Sequence, residues 1–318
     1  MTRNSSRPAV ICTDPFWDCD DLVSIAVAAM LLEDVTLISS DETGGRRARG
    51  LRRFADSLGR TDIRVVTGHD LGDTRRFLAD DYIADVPQQP ADVIGAVARA
   101  CESGPALWVG QGPMSNLATV LSAEPHRAEQ LTVFQQGFWL DQYRNPSLAS
   151  HNARLDPAAA GLAIRAAFAP CLVLSDWTDS DEIAVTRDSE LFRLVSRPDV
   201  PEWARWISIS LERWFARGRA SSKMHDPLTL SAALGCGFVS FDEVRVRIAP
   251  DARMYRDRRG RLVRVATGAD YAGFTDWLIA MIATGIDQFE PGPAQPPPHC
   301  AQSVSPTTAS RTAEGGGR

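Results

Sequence analysis

The chain has 318 residues, 44% hydrophobic and 23% charged, with a formal net charge of −6. This is ordinary globular composition, and the length suits two modest domains or one large α/β domain. The acidic balance and the scattered, almost entirely arginine basic residues (Lys223 is the single lysine) argue against nucleic acid as a main partner.

Short β-branched runs alternate with helical patterns from the start. Ala9–Thr13 reads as a strand and Asp18–Leu32 as a helix apolar nearly all round, hence buried. Val35–Ser40 is a strand, Arg46–Leu58 an amphipathic helix and Ile63–Thr67 another strand. Helix Ala91–Ala100, strand Ala106–Gly110, helix Asn116–Leu121 and strand Leu131–Phe134 follow, then helix Pro157–Phe168 and strand Cys171–Leu174. This alternation predicts an α/β fold with a doubly wound, mostly parallel sheet flanked by helices. The second half is more helical, with segments at Asp188–Val195, Glu202–Ala216, Leu228–Leu234 and Asp270–Thr284. A small hairpin is expected from Val244–Ile248 and Leu262–Ala266 around a turn at Arg258–Gly260. Residues 1–290 are thus expected to form a single domain. The Pro/Ser/Gly-rich residues 291–318 cannot bury enough apolar surface to offset their ordering entropy and are expected to be a disordered tail.

The apolar run Leu22–Leu32 is too short to span a bilayer, and Met1–Val10 lacks the layout of a signal peptide. Cys12, Cys19, Cys101, Cys171, Cys236 and Cys300 contain no CxxC pair, which disfavours a zinc site or a disulfide framework. A cytoplasmic protein without membrane contact is expected.

The most informative stretch is Cys12-Thr13-Asp14-Pro15-Phe16-Trp17-Asp18-Cys19-Asp20-Asp21. Four carboxylates fall within eight residues at the C-terminal end of the first strand, where open parallel sheets bind ligands. Helix capping accounts for one or two of them. Four so close repel unless a cation neutralises them, and all-oxygen donors without clustered His or Cys indicate calcium or magnesium. The spacing is not that of an EF-hand, so distant residues must complete such a site. His225-Asp226-Pro227 offers one. Asp226 is either the N-cap of a helix whose first residue is Pro227 or a metal ligand, and His225 either a surface residue or an acid with a physiological-range pKa.

These residues resemble the calcium-dependent nucleoside hydrolases of the inosine–uridine-preferring type. That family opens with D-T-D-P-G-x-D-D or a longer D-x-D-D form, matched here by Thr13-Asp14-Pro15 and Asp18-Cys19-Asp20-Asp21. Its G-P-L-T-N block is similar to Gly112-Pro113-Met114-Ser115-Asn116. Its E-F-N block and following helix start are similar to Ser150-His151-Asn152 and Asp156-Pro157-Ala158, and its H-D-P block to His225-Asp226-Pro227. Four blocks in order cover roughly residues 8–286. The resemblance implies hydrolysis of an N-ribosyl bond, releasing base and ribose, with calcium-bound water as nucleophile. Asp14, Asp21, the Gln111 backbone carbonyl and Asp226 would hold Ca2+, and Asp14 would also take the proton from that water. Asp20, Asn145 and Asn152 would bind the ribose diol, and His225 would face the leaving base. The partner implied is a small nucleoside-like molecule, and the family's habit implies a homo-oligomer.

Several positions depart from the family pattern. Its first acid is Cys12, its glycine after Asp-Pro is Phe16-Trp17, and its glutamate near the ribose 5′-hydroxyl is Ser150. The usual His-Gly-rich loop is not apparent around Asp80–Val86. Trp177 and Phe138-Trp139 either line the base pocket or fill the core. The alternatives are therefore the same fold acting on a modified nucleoside in a specialised biosynthetic pathway, or a non-catalytic ribosyl-binding protein.

Overall fold

The computed structural model describes residues 7–72 and 77–288. Strand β1 (Ala9–Thr13) leads into α1 (Asp20–Leu31), β2 (Val35–Ser39), α2 (Arg46–Ser57) and β3 (Arg64–Val66). Then come α3 (Val93–Ala100), β4 (Ala106–Gly110), α4 (Ser115–Ala123), α5 (Arg127–Gln130) and β5 (Leu131–Gln136). They are followed by α6 (His151–Leu155), α7 (Pro157–Ala166), β6 (Cys171–Val173) and α8 (Ser175–Thr178). The last third contains β7 (Ala184–Val185), α9 (Glu190–Val195), α10 (Glu202–Ala216), β8 (Ser222–Lys223) and α11 (His225–Ala233). It ends with β9 (Val239–Ile248), β10 (Met254–Arg256), β11 (Arg261–Ala269) and α12 (Tyr271–Gln288).

Among the described residues nine strands form one sheet in the order β10-β9-β11-β6-β5-β4-β1-β2-β3. All neighbours from β11 to β3 pair in parallel; β9 runs antiparallel between β11 and β10. A parallel sheet survives only with both faces covered, and the side-chain alternation of β1 shows how that is met. Ala9 and Ile11 enter one apolar cluster with α1, α2 and α10–α12, whereas Val10 and Cys12 enter the other with α3, α4 and α7. Helix α1 packs against α10, α11 and α12, so its all-round apolar sequence is explained by burial.

The doubly wound sheet and helical flanks agree with the sequence expectation, but most boundaries shift by a few residues, and three of the shifts have a physical reason. Helix α1 begins at Asp20, not Asp18, because Cys19 takes the capping position. The expected hairpin strands are longer, and β10 occupies their connection, pairing with Val246–Ile248. Helix α11 begins at His225 rather than Leu228, since proline is tolerated within a first helical turn, where its missing N–H has no partner to lose. The expected tail, 291–318, lies outside the described residues. No helix among them is long and apolar enough to cross a membrane.

The loop after β1 contains a residue in an unusual state. Phe16 has φ +73°, in the left-handed region that favours glycine. Its buried ring packs near Phe77 and Tyr82, with centroids 5.6 and 6.0 Å away, and lies over Gly50 of α2. A Cβ on Gly50 would come within 2.2 Å of the ring. The strain is thus held by packing. Phe16→Gly is expected to relieve about 1 kcal/mol of backbone strain but forfeit about 3–5 kcal/mol of buried aromatic contact, a net loss of roughly 2–4 kcal/mol. Urea unfolding of the two proteins measures it; a stabilised variant would mean the ring contributes little.

Candidate active site

Successive strands β1, β2 and β3 extend the sheet one way, and β4 then pairs with the opposite side of β1. Ligand clefts form at such a reversal, beyond the C-terminal strand ends. A cavity of about 620 Å³ opens there, lined by Asp14 after β1, Gln111 after β4 and Gln136 at the end of β5. His225 and Asp226 reach it from the first turn of α11.

Five carboxylates form the floor of this cavity, Asp14, Asp18, Asp20, Asp21 and Asp226, and Asp179 is a sixth in its lining. Oxygens of Asp18, Asp20 and Asp21 lie within 4.8 Å of one another. Asp21 Oδ1 accepts from the Thr13 hydroxyl and, at 3.0 Å, from the Asp14 backbone N–H; Asp20 Oδ2 accepts from the Asp226 N–H at 3.3 Å. None caps its helix. The capping residues are Cys19 and Met224, neither with a side-chain cap bond, and Asp226 lies inside α11. Helix-start roles thus account for at most Asp20 and Asp21, in the first turn of α1, with Asp20 also meeting a first-turn N–H of α11, and leave the other acids unexplained.

Burial and mutual repulsion push Asp14, Asp20 and Asp226 well above the usual carboxylate range. Burial and the charge of Asp21 raise Asp18 to about 6, and burial also raises Asp21. The nearest cation of the protein is Arg47 of α2, only 1% exposed. Its guanidinium donates to the carbonyls of Asp14, Pro15 and Asp41 and pairs with the Asp41 carboxylate at 3.5 Å. It fastens the Asp14 loop from behind without hydrogen-bonding the five acids. Such a donor set fits a hard divalent cation, which would remove the repulsion.

An amide chain frames the other wall. Asn152 Nδ2 donates to the Gln111 carbonyl (2.8 Å) and to Gln136 Oε1 (2.7 Å), while Gln136 Nε2 reaches the Thr178 hydroxyl at 3.2 Å. Gln111 Nε2 donates to the Asp226 carbonyl (3.1 Å), and its buried Oε1 has no hydrogen-bond donor among the described residues. This oxygen is a further candidate ligand, a few atoms from the carbonyl that sequence comparison pointed to. Burial lowers the His225 imidazole to about 4, against the opposing pull of Asp179. At neutral pH the ring is neutral, not an acid with a physiological-range pKa.

The remaining expected residues separate. Asn145 lies at the exposed rim of the cavity, its Oδ1 accepting from Ser147 N–H at 3.0 Å. Trp177 does not line the cavity: its indole N–H donates to the Ala266 carbonyl at 2.9 Å and its ring packs against both apolar clusters. Phe138 is core as well, whereas Trp139 and Trp17 line the cavity. Gln136 and Arg47 were not foreseen. The position of Gln136 at a strand's C-terminal end was an available signal; nothing local marks Arg47, which reaches the site by tertiary packing.

No family model matches the sequence. The pyrimidine-specific ribonucleoside hydrolase RihA of Escherichia coli O81 (strain ED1a) is 25% identical over 249 residues, 70% of this chain and 78% of the relative. In three dimensions a plant nucleoside hydrolase, PpNRh1, superposes with TM-score 0.72 at 18% identity. A purine-preferring ribonucleoside hydrolase from Gardnerella vaginalis gives 0.70 at 18%, each match covering 87% of this chain and 99% of the other. The chain has the nucleoside hydrolase fold and a weak sequence similarity to the ribonucleoside hydrolase RihA.

Within the nucleoside hydrolase fold the substituted positions now have surroundings. Burial pushes the Cys12 thiol up to about 12, so it is neutral, and its sulfur accepts from Asn116 Nδ2 at 3.2 Å. The same amide donates to the Ser39 carbonyl at 2.9 Å, so Asn116 ties β1 to β2. The Ser150 hydroxyl accepts from the Phe138 N–H at 2.7 Å, a structural bond across the β5–α6 connection. A neutral thiol and a neutral hydroxyl thus stand where the family pattern has two carboxylates.

Proposed function

We propose that this protein is a calcium-dependent N-ribohydrolase that splits a ribonucleoside-like molecule into base and sugar. The observation that carries this is the five-carboxylate floor at the sheet's switch point in a nucleoside hydrolase fold. Asp14, Asp21, Asp226 and Gln111 would hold the ion, with Asp18 and Asp20 close enough to contribute. When bound, calcium supplies an acidified, oriented water and a Lewis-acidic anchor for vicinal hydroxyls.

Asp14 takes the proton of the attacking water, a role that its carboxylate in the cavity lining allows. Asp20 and the Asn152 side-chain oxygen accept hydrogen bonds from the ribose diol, with Asn145 at the rim beside them. Glycosidic cleavage develops positive charge on the sugar, which the acidic floor stabilises. His225, neutral at neutral pH, hydrogen-bonds the departing base rather than delivering a full imidazolium proton. Base departure therefore leans on the electronegativity of the base itself.

The relatives are named for pyrimidine, purine and inosine–uridine preferences, so the test spans all of them. Ribose release from uridine, cytidine, adenosine and inosine is measured with calcium and with a chelator. Chelator-sensitive release is expected. Release indifferent to chelation removes the metal from the mechanism, and a calcium-bound protein that releases nothing from any ribosyl substrate removes the enzyme.

A further inference from the structure

The cavity is electrically two-ended. Of the acids of its floor Asp20, Asp21 and Asp226 are buried and Asp14 and Asp18 half-buried, but its lining also includes Arg144, Arg154 and Arg219. They arrive from three segments: the β5–α6 connection, α6 itself and the α10–β8 connection. Each is positioned by a neighbour. Arg144, 74% exposed, pairs with Asp179 at 2.9 Å; Arg154 Nη2 lies 3.1 Å from His151 Nδ1; Arg219 stacks over Trp214 at 5.1 Å. Asp179 is the acid that faces this group, and it also pairs with Lys223 at 2.6 Å. Lys223 also meets Asp181 at 3.2 Å, so Asp179 is not its sole counter-charge, and the mouth brings three arginines to a chain of net charge −6.

Neutral sugar hydroxyls and an uncharged base offer nothing of opposite sign to three convergent guanidinium groups, whereas a phosphate does. The α6 wall shows where such a group would fall. The Arg154 N–H donates to the Ser150 carbonyl at 3.0 Å, which places Arg154 one helical turn beyond Ser150. By the family resemblance position 150 would stand near the ribose 5′-hydroxyl, and its side chain here is short, neutral and already bonded to Phe138.

We infer that the preferred substrate is a ribonucleoside 5′-monophosphate, its sugar diol toward the acidic floor and its phosphate at Arg154, Arg219 and Arg144. The inference rests on the N-ribohydrolase reading. Water oxygen bonds to C1′ as the C1′–N bond breaks, its proton passing to Asp14; the electron pair leaves with the base, which takes a proton from solvent, and Asp14 returns its own to solvent. Ribose 5-phosphate is released with its ester intact. A reaction that uses ribose 5-phosphate, or disposes of a nucleotide, would be the natural neighbour of this step.

The test compares kcat/KM of the calcium-loaded protein for uridine, inosine and their 5′-monophosphates, with orotidine as a substrate whose anion is on the base. In parallel, calorimetry compares ribose 5-phosphate with ribose as ligands. The monophosphates are expected to lead by about tenfold or more, the scale of a charged hydrogen bond, with ribose 5-phosphate the tighter ligand by a similar factor. Arg154→Gln, and independently Arg219→Gln should the first fail to fold, is expected to bring both ratios toward unity. Nucleosides hydrolysed as well as or better than monophosphates overturn the inference and leave the ribohydrolase standing; orotidine outpacing uridine 5′-monophosphate also overturns it. If no substrate is cleaved, the ribohydrolase reading falls, and the calorimetric ratio alone decides the phosphate site: tighter ribose 5-phosphate upholds it, equal binding ends it.

Discussion

Asp14→Asn is expected to lower kcat for ribosyl hydrolysis by roughly a thousandfold or more and, in the absence of metal, to raise the melting temperature. The first effect follows from losing the proton acceptor together with one cation ligand. The second follows from the surroundings of Asp14. Burial and the charges of Asp21, Asp41 and Asp18 all disfavour its ionised form, and Arg47 opposes them only in part. Asparagine keeps the shape and removes one like charge. Arg47 holds this loop through the Asp14 and Pro15 carbonyls, which the substitution leaves in place. Steady-state kinetics and thermal melts in chelator check both halves. Activity within tenfold of the parent would remove Asp14 as the base; a destabilised metal-free variant would mean its carboxylate is a net structural asset.

Calcium is expected to stabilise the protein far more near pH 7.5 than near pH 5. The five floor acids hold their protons more tightly in the folded chain than in the unfolded one. For an acid whose folded pKa is raised, the folded state binds more protons, so metal-free stability is lost as pH rises through those values, Asp18 near 6 among them. His225 has the opposite sign. Its lowered value makes the folded chain the poorer proton binder, so its contribution is lost as pH falls from the ordinary imidazole range toward about 4. The acids outnumber it around the ion. A divalent cation requires the ionised carboxylates, so its affinity rises with pH just where the metal-free protein weakens. At calcium about a hundredfold above its Kd the gain is about 2.7 kcal/mol, or roughly 4–5 °C for a chain of this size. Melting curves at both pH values, with calcium and with chelator, measure it. Equal shifts at the two pH values would show that the acids already hold their charges without the ion.

How much was legible in the sequence depended on how local each cause was. The acid run after β1 could be read because strand, loop and helix start are contiguous and the repulsion of Asp14, Asp18, Asp20 and Asp21 needs no tertiary information. The start of α11 was harder: Pro227 looks like a first residue, yet it sits in the third helical position. The protonation state of His225 was out of reach, because the burial that lowers it comes from the assembled cavity. Phe16 and Trp17 are adjacent and chemically alike, yet one is core and the other lines the cavity. Nothing in composition separates them; a left-handed backbone angle does. Trp177 failed as a pocket residue for a similar reason, since only the register of β11 supplies the Ala266 carbonyl that draws its indole inward.

The sheet ends in two very short strands. At one side β3 has three residues, Arg64–Val66; at the other β10 has three, Met254–Arg256, and Met254 is further bridged by Leu140. Unpaired strand edges are templates for another chain, and brevity together with charged residues is how proteins blunt them. Arg64 and Arg256 stand on these two strands and are exposed. Strand β10 covers only Val246–Ile248 of β9, so the outer edge of β9 over Val239–Arg245 has no strand partner among the described residues, and there the charges of Asp242, Glu243 and Arg245 do the blunting. Growth by edge-to-edge addition, the route to fibres, is thereby discouraged, and self-association is steered to helix faces and loops, where it can close rather than propagate.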